Sequence, residues 1–197
     1  QLFPAYGFGA YLNTPPQGTS HCFPLSLNRD AVECYGVQGI MQAYANCVTS
    51  VTLSGPTNFA PTIRTVMTKY TNPALESIAH SLKYYVLLII TDGEITDMNE
   101  TIRAIQEASE TPLSIVIVGV GSADFTSMDT LDGDDGQLRT RRDIVQFVPY
   151  RKFSSKGPEA LARETLREIP KQVEQFYKMK NIDPNVYYQR FAQMHPQ

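Results

Sequence analysis

Cysteine and histidine are scarce in this 197-residue chain, with three of each, and their placement removes the commonest metal and nucleophile chemistries. Cys22, Cys34 and Cys47 are odd in number and form no C-x-x-C pair. They fit neither a disulfide framework nor the usual zinc spacing, and are read as reduced thiols of a cytosolic protein. His21, His80 and His195 lie far apart, outside any H-E-x-x-H run, and are read as ordinary histidines rather than ligands or bases. Phosphate-cradling G-x-x-x-x-G-K-[ST] and G-x-G-x-x-G runs are missing, and Tyr6-Gly7-Phe8-Gly9 does not replace them. There is no G-x-S-x-G elbow, and no Ser-His-Asp or Cys-His pair can be proposed from spacing. The longest apolar run, Tyr84 to Ile90, is far short of the roughly 18 residues of a membrane span. Excess charge is also small: a formal charge of -3 and a pI near 5.6 argue against nucleic acid as a partner, because polyanion binding needs clustered Lys and Arg.

What is present is the composition of one ordinary globular domain, 42% apolar and 19% charged. A chain of this size buries roughly 70% of its unfolded surface, so no staple is needed. Charge is uneven along it. Between Asp92 and Gly136 eleven acids face one base, Arg103, whereas from Arg151 onward nine bases face five acids. The basic tail reads as a solvated helix face, with a surface for acidic lipid or an acidic partner as the alternative.

Periodicity predicts alternating strands and helices. Leu2 to Tyr11 reads as a buried strand and Cys22 to Leu27 as a short edge strand, since Pro24 suits only an edge or a strand end. Gly36 to Val48 spaces Val37, Ile40, Met41, Tyr44 and Val48 as a helix face, and Phe59 to Tyr70 reads as a second helix. Tyr84 to Ile90 reads as a central parallel strand buried on both faces, and Leu113 to Val120 repeats its signature. Met98 to Ser109 is a third helix, Ile144 to Val148 a last strand, and Pro158 to Lys178 a helix that Pro170 kinks or splits. The expected fold class is α/β, with a largely parallel central sheet flanked by helices. Residues 1–180 form the expected domain and 181–197 an appended tail.

Ligands of such sheets sit beyond the carboxyl ends of the strands, which directs attention to the loops after Ile90 and Val120 and to the Gly55-Pro56-Thr57-Asn58 turn. Thr91-Asp92-Gly93 places a carboxylate at the end of a buried strand, where it suits a hard cation such as Mg²⁺ or simply caps the turn. In Gly55-Pro56-Thr57-Asn58, Thr57 sits where a helix should begin, as an N-cap or a hydroxyl ligand. Two oxygens do not complete an octahedral site. Leu131-Asp132-Gly133-Asp134-Asp135-Gly136 fails the calcium-loop pattern and reads as an acidic surface turn.

Phe3-Pro4-Ala5-Tyr6-Gly7-Phe8-Gly9-Ala10, Gly55-Pro56-Thr57-Asn58, Leu87 to Gly93 with Ile95-Thr96-Asp97-Met98, Val118-Gly119-Val120-Gly121 with Ala123-Asp124-Phe125, Leu131 to Gly136 and Arg142 to Pro149 together resemble the C-terminal domain of copines. The resemblance runs from Leu2 to about Tyr177 and rests on many ordered blocks. It implies a Rossmann-like fold of the von Willebrand factor A type and a non-enzymatic module that recruits protein targets. The parent would bind Ca²⁺ and phospholipid membrane through two C2 domains outside this chain, and would be cytoplasmic and peripherally membrane-associated. A-type domains hold a metal on three loops; Thr57 and Asp92 match the second and third, implying part of a site for Mg²⁺ or Mn²⁺. The first loop, with the family's first strand and helix, would precede Leu2, so the chain is expected to be an N-terminally incomplete domain whose missing central strand is supplied from elsewhere. An alternative reading is a structural component of a larger assembly that has lost metal-dependent binding. A related A domain in a ubiquitin ligase would carry a C-terminal RING, and nothing after Lys180 supplies its Cys and His pairs.

Overall fold

The computed structural model describes residues 1–12, 18–71, 83–132, 140–183 and 185–186. They fall into two compact units, Gln1–Thr65 with Ile95–Thr101, and Val66–Glu94 with Ile102–Gln197.

In the first unit the segment read as one buried strand is three short ones, each with its own antiparallel partner. Strand β1 (Leu2–Pro4) pairs with β5 (Glu33–Tyr35), β2 (Tyr6–Gly7) with β4 (Phe23–Pro24), and β3 (Ala10–Tyr11) with β6 (Thr52–Leu53). The interruptions have local causes. Pro4 has no N–H for a ladder, and Gly9 takes the left-handed conformation at φ 68°, which turns the chain between β2 and β3. Gly7 is required by packing, because a Cβ there would lie 2.7 Å from the Phe23 ring. Leu2 and Tyr11 are exposed, so the burial expected for the whole segment is confined to its middle. The core gathers Ala5, Ala10, Phe23, Leu25, Cys34 and Cys47.

Helix α1 (Gly36–Val48) has the predicted bounds. Its inward face differs from the predicted stripe: Cys47 is buried and Ile40 and Ala43 pack beside it, while Val37, Met41, Tyr44 and Val48 face solvent. Helix α2 (Ala60–Tyr70) begins in the first unit, with Phe59, Ala60 and Ile63 buried. Helix α3 (Met98–Ala108) also starts there, and its inward residues include Thr101, Ala104, Ile105 and Ala108.

The second unit is built on a parallel sheet in the order β7 (Tyr85–Thr91), β8 (Leu113–Gly119), β9 (Val145–Pro149), flanked by helices. This is the α/β architecture expected. The central place belongs to β8, whose seven residues are all buried, as the continuous run Leu-Ser-Ile-Val-Ile-Val-Gly requires. Strand β7 lies instead at the edge of this sheet, with Val86, Leu88 and Ile90 about half exposed. Its other edge pairs with no strand among the described residues. A four-residue helix α4 (Thr126–Asp129) follows β8. Pro170 acts as predicted: the long C-terminal helix splits into α5 (Pro158–Leu166) and α6 (Ile169–Met179), with the proline in the first turn of α6, where its missing N–H costs nothing.

A buried polar cluster ties strand β8 to helix α6. The Tyr84 and Ser114 hydroxyls lie 2.8 Å apart, and Ser114 donates to Gln172 Oε1 at 2.5 Å. Arg142, 6% exposed, completes it.

Candidate functional site

Thr57 lies in the first unit, in a loop that opens with a cis Gly55–Pro56 bond. Its backbone is gripped from 39 residues away: Thr57 N–H donates to Thr96 Oγ1 at 3.1 Å, and Thr96 N–H donates to the Thr57 carbonyl at 2.8 Å. The next residue in each segment continues the clamp. Asp97 accepts from the amides of Phe59 at 2.9 Å and Ala60 at 3.0 Å, one to each carboxylate oxygen. These are orphan donors at the start of α2, so the cap read for Thr57 is supplied by Asp97. Asp97 also receives the Thr101 hydroxyl at 2.9 Å, and its carbonyl accepts the Thr101 amide at 2.8 Å, at the start of α3. One carboxylate thus serves two helix beginnings, where the peptide dipoles favour negative charge. Thr57, relieved of capping, is partly exposed. Nearby, Asn58 Nδ2 lies 3.4 Å from His21 Nε2, and the Thr62 hydroxyl donates to the His21 carbonyl at 2.9 Å.

Asp97 was not singled out by sequence reasoning. The available signal was Asp97-Met98-Asn99-Glu100 ahead of an amphipathic run, a capping-box spacing. Glu100 instead pairs with Arg64 at 3.2 Å.

Asp92 lies in the second unit, one residue beyond β7. Thr91 is buried and fixes the departure of the chain: its hydroxyl donates to the Gly93 carbonyl at 3.2 Å and accepts the Gly93 amide at 3.4 Å, and its carbonyl accepts the Val120 amide at 2.8 Å. Asp92 itself is exposed. The neighbouring loop after β8 is shaped by Gly121 at φ 83°. There Asp124 accepts the Thr126 amide at 3.0 Å and hydroxyl at 2.5 Å, and these bonds hold its carboxyl below the usual range. Asp132 anchors the acidic turn through the Phe147 amide at 2.7 Å, while 133–139 lie outside the described residues.

The hydroxyl of Thr57 and the carboxylate of Asp92 are hard oxygen donors of the kind Mg²⁺ selects. Among the described residues no three His, Cys, Asp or Glu side chains gather where they could hold a metal ion. Cys22, Cys34 and Cys47 are free thiols, and burial pushes the Cys47 thiol up. His80 and His195 lie outside the described residues. No described helix is long and apolar enough to cross a membrane.

The copine family model matches residues 1–185. Copine-C of Dictyostelium discoideum is 46% identical over 187 residues, which cover 91% of this chain and 33% of that relative. The chain therefore spans about a third of the length of this relative. The family match runs through the Thr57 loop, the end of β7 and the loop after β8, and the chain belongs to the copine family.

Proposed function

We propose that this chain is the protein-recruitment module of a copine-like, calcium-dependent phospholipid-binding protein, and that it is not an enzyme. The observation that carries the reading is the family match over residues 1–185. In this reading Ca²⁺ and the phospholipid membrane are engaged by C2 domains of the parent, which is cytoplasmic and peripherally membrane-associated, while this chain engages protein targets and no nucleic acid. Thr57 and Asp92 are its contribution to a Mg²⁺ or Mn²⁺ site, the remaining ligands coming from water, from elsewhere in the parent or from the target. The hydrogen bonds to the backbone at Thr57 and beside Asp92 support such a role, since a recruitment loop loses less entropy on binding when it is already held.

The second reading is a structural component that has lost metal-dependent binding, and it is favoured by the finding that among the described residues no three His, Cys, Asp or Glu side chains gather to hold a metal ion. Calorimetric titration of Mn²⁺ into the parent protein separates the two. The recruitment reading expects binding that falls at least tenfold with Asp92→Ala; no binding, with target capture unchanged by the substitution, establishes the structural role. Co-sedimentation of this chain with phosphatidylserine vesicles is expected to be independent of Ca²⁺, and calcium-dependent pelleting would place lipid binding in the chain itself.

A further inference from the structure

The bases after β9 are of two kinds. Arg163, Arg167, Lys171 and Lys178 lie on or beside α5 and α6, each with a glutamate three or four residues away. Two of these pairs are closed, Arg167 with Glu164 at 2.9 Å and Lys178 with Glu174 at 2.5 Å. Arg151, Lys152 and Lys156 have no such neighbour, because residues 144–158 contain no Asp or Glu. All three are exposed, and among the described residues none of them forms an ion pair.

The loop that carries them is held by its own backbone. The chain leaves β9 through a 3₁₀ turn, Tyr150–Lys152, whose Tyr150 carbonyl accepts the amides of Phe153 and Ser154, each at 2.9 Å. The Phe153 carbonyl accepts the Lys156 amide at 2.9 Å, and the Ser154 hydroxyl donates to the Arg151 carbonyl at 3.2 Å. Lys156 Nζ stands 4.9 Å from the centroid of the half-buried Phe153 ring, which keeps the ammonium on the loop. Tyr150, 42% exposed, adds a ring next to Arg151 in the chain. A loop already fixed in this way loses little entropy when an anion binds it.

The surroundings of the loop select the kind of anion. Strands β7, β8 and β9 are parallel and end in register, Thr91 opposite Gly119 and Gly119 opposite Pro149, so the loops that follow them leave from one rim. On the two neighbouring loops Asp92, Glu94 and Asp124 are exposed. The strand ends are only about 5 to 10 Å apart. A bilayer is broader than this rim and would press acidic lipid against those carboxylates as well as against the bases. Three bases also fall short of the roughly four to eight of a polybasic lipid site. An extended polypeptide is narrow enough to lie on the β9 side alone. The Asp124 carboxyl, held low first by the Thr126 hydroxyl and amide, also feels Arg151, which leaves Lys152 and Lys156 as the charges open to a partner.

We propose that the loop from Tyr150 to Lys156 is a docking site for an acidic segment of the recruited protein, whose Asp or Glu side chains meet Lys152 and Lys156. The proposal rests on the recruitment reading for the carrier of that segment, and it adds a contact that needs no metal and does not involve Thr57 or Asp92. Its strength comes from exposed charge pairs, so the contact is weak and falls as salt is raised.

Fluorescence anisotropy of a fluorescein-labelled hexaglutamate, titrated with the full chain in metal-free buffer, is expected to show saturable binding. Lys152→Glu with Lys156→Glu is expected to weaken it by at least about fivefold. Lys171→Glu with Lys178→Glu makes the same change of net charge on α6 and is expected to weaken it less than about twofold. Lys152→Gln with Lys156→Gln, which adds no negative charge, is expected to fall between the parent and the loop reversal, and serves in its place if the reversal does not fold. Absence of peptide binding overturns the proposal. So does an equal loss in the loop and helix reversals, which would reduce the effect to overall charge, and so does displacement of the peptide by an equimolar amount of inorganic phosphate, which would show a bare anion site. Pelleting with phosphatidylserine vesicles that only the loop variants lose would overturn it in favour of a membrane. No metal is present in this assay, so its failure is distinguishable from a failure of the recruitment reading, which the Mn²⁺ titration decides.

Discussion

Two consecutive arginines provide a controlled test of what holds the parallel-sheet unit together. Arg142 is buried and its guanidinium uses the whole fork. Nε donates to the Ser109 carbonyl at 2.9 Å, Nη1 to Tyr84 Oη at 2.8 Å and the Gln172 carbonyl at 3.3 Å, and Nη2 to the carbonyls of Leu113 at 2.9 Å and Thr111. The rings of Phe176 and Tyr84 flank it, with centroids 5.2 and 5.6 Å from Cζ. These contacts contain no carboxylate; carbonyl dipoles and ring faces stabilise the cation. Truncation to alanine leaves several buried carbonyls unpaired, and breaking a buried charge from its partners costs about 3 to 5 kcal/mol. At about 2 to 4 °C per kcal/mol for a chain of this size, Arg142→Ala is expected to lower Tm by roughly 6 to 20 °C. Arg142→Lys keeps the charge and loses the fork, so an intermediate loss is expected. Arg141 is the control: its side chain is 70% exposed and pairs with exposed Glu110 at 3.0 Å, a contact worth about 0 to 1 kcal/mol. Thermal melts followed by far-UV circular dichroism read all three variants. The reasoning fails if Arg142→Ala melts within about 3 °C of the parent, or if Arg141→Ala loses as much.

Asp97→Asn keeps one carbonyl acceptor and loses the other, so about 1 to 2 kcal/mol of stability is expected to disappear with a helix cap. Amide exchange at Thr57, Phe59 and Ala60 is expected to quicken together; unchanged exchange would mean that the carboxylate does not hold the loop. For the thiols, burial raises the Cys47 pKa and so reduces its thiolate fraction, while Cys22 is partly exposed. Iodoacetamide under native conditions is expected to alkylate Cys22 first, and mass-mapped labelling of Cys47 ahead of Cys22 would contradict the burial.

How much of this was legible in the sequence depended on whether the deciding neighbour was close in the chain. The limits of α1, β8 and the break at Pro170 were legible because period, composition and a missing N–H act within a few residues. The inward face of α1 was not. The 3.6-residue period identifies an apolar stripe, and α1 has two; which of them turns inward, here Ile40, Ala43 and Cys47, is decided by the strands that pack against it. The same limit explains β7. A continuous apolar run identifies a strand with two apolar faces, but sheet order is set by pairing across many residues, and here β8 took the centre. At the candidate site, Thr57 and Asp92 were legible as residues at the ends of elements. Asp97, which fixes the Thr57 loop, was not, because its two backbone partners are 38 and 37 residues away. Asp97 stands at the start of α3, yet its two carboxylate oxygens accept amides at the start of α2, a pairing that only the folded chain reveals. Positions at the ends of elements are therefore readable from local pattern, whereas the residues that hold a loop in place depend on contacts that form only on folding.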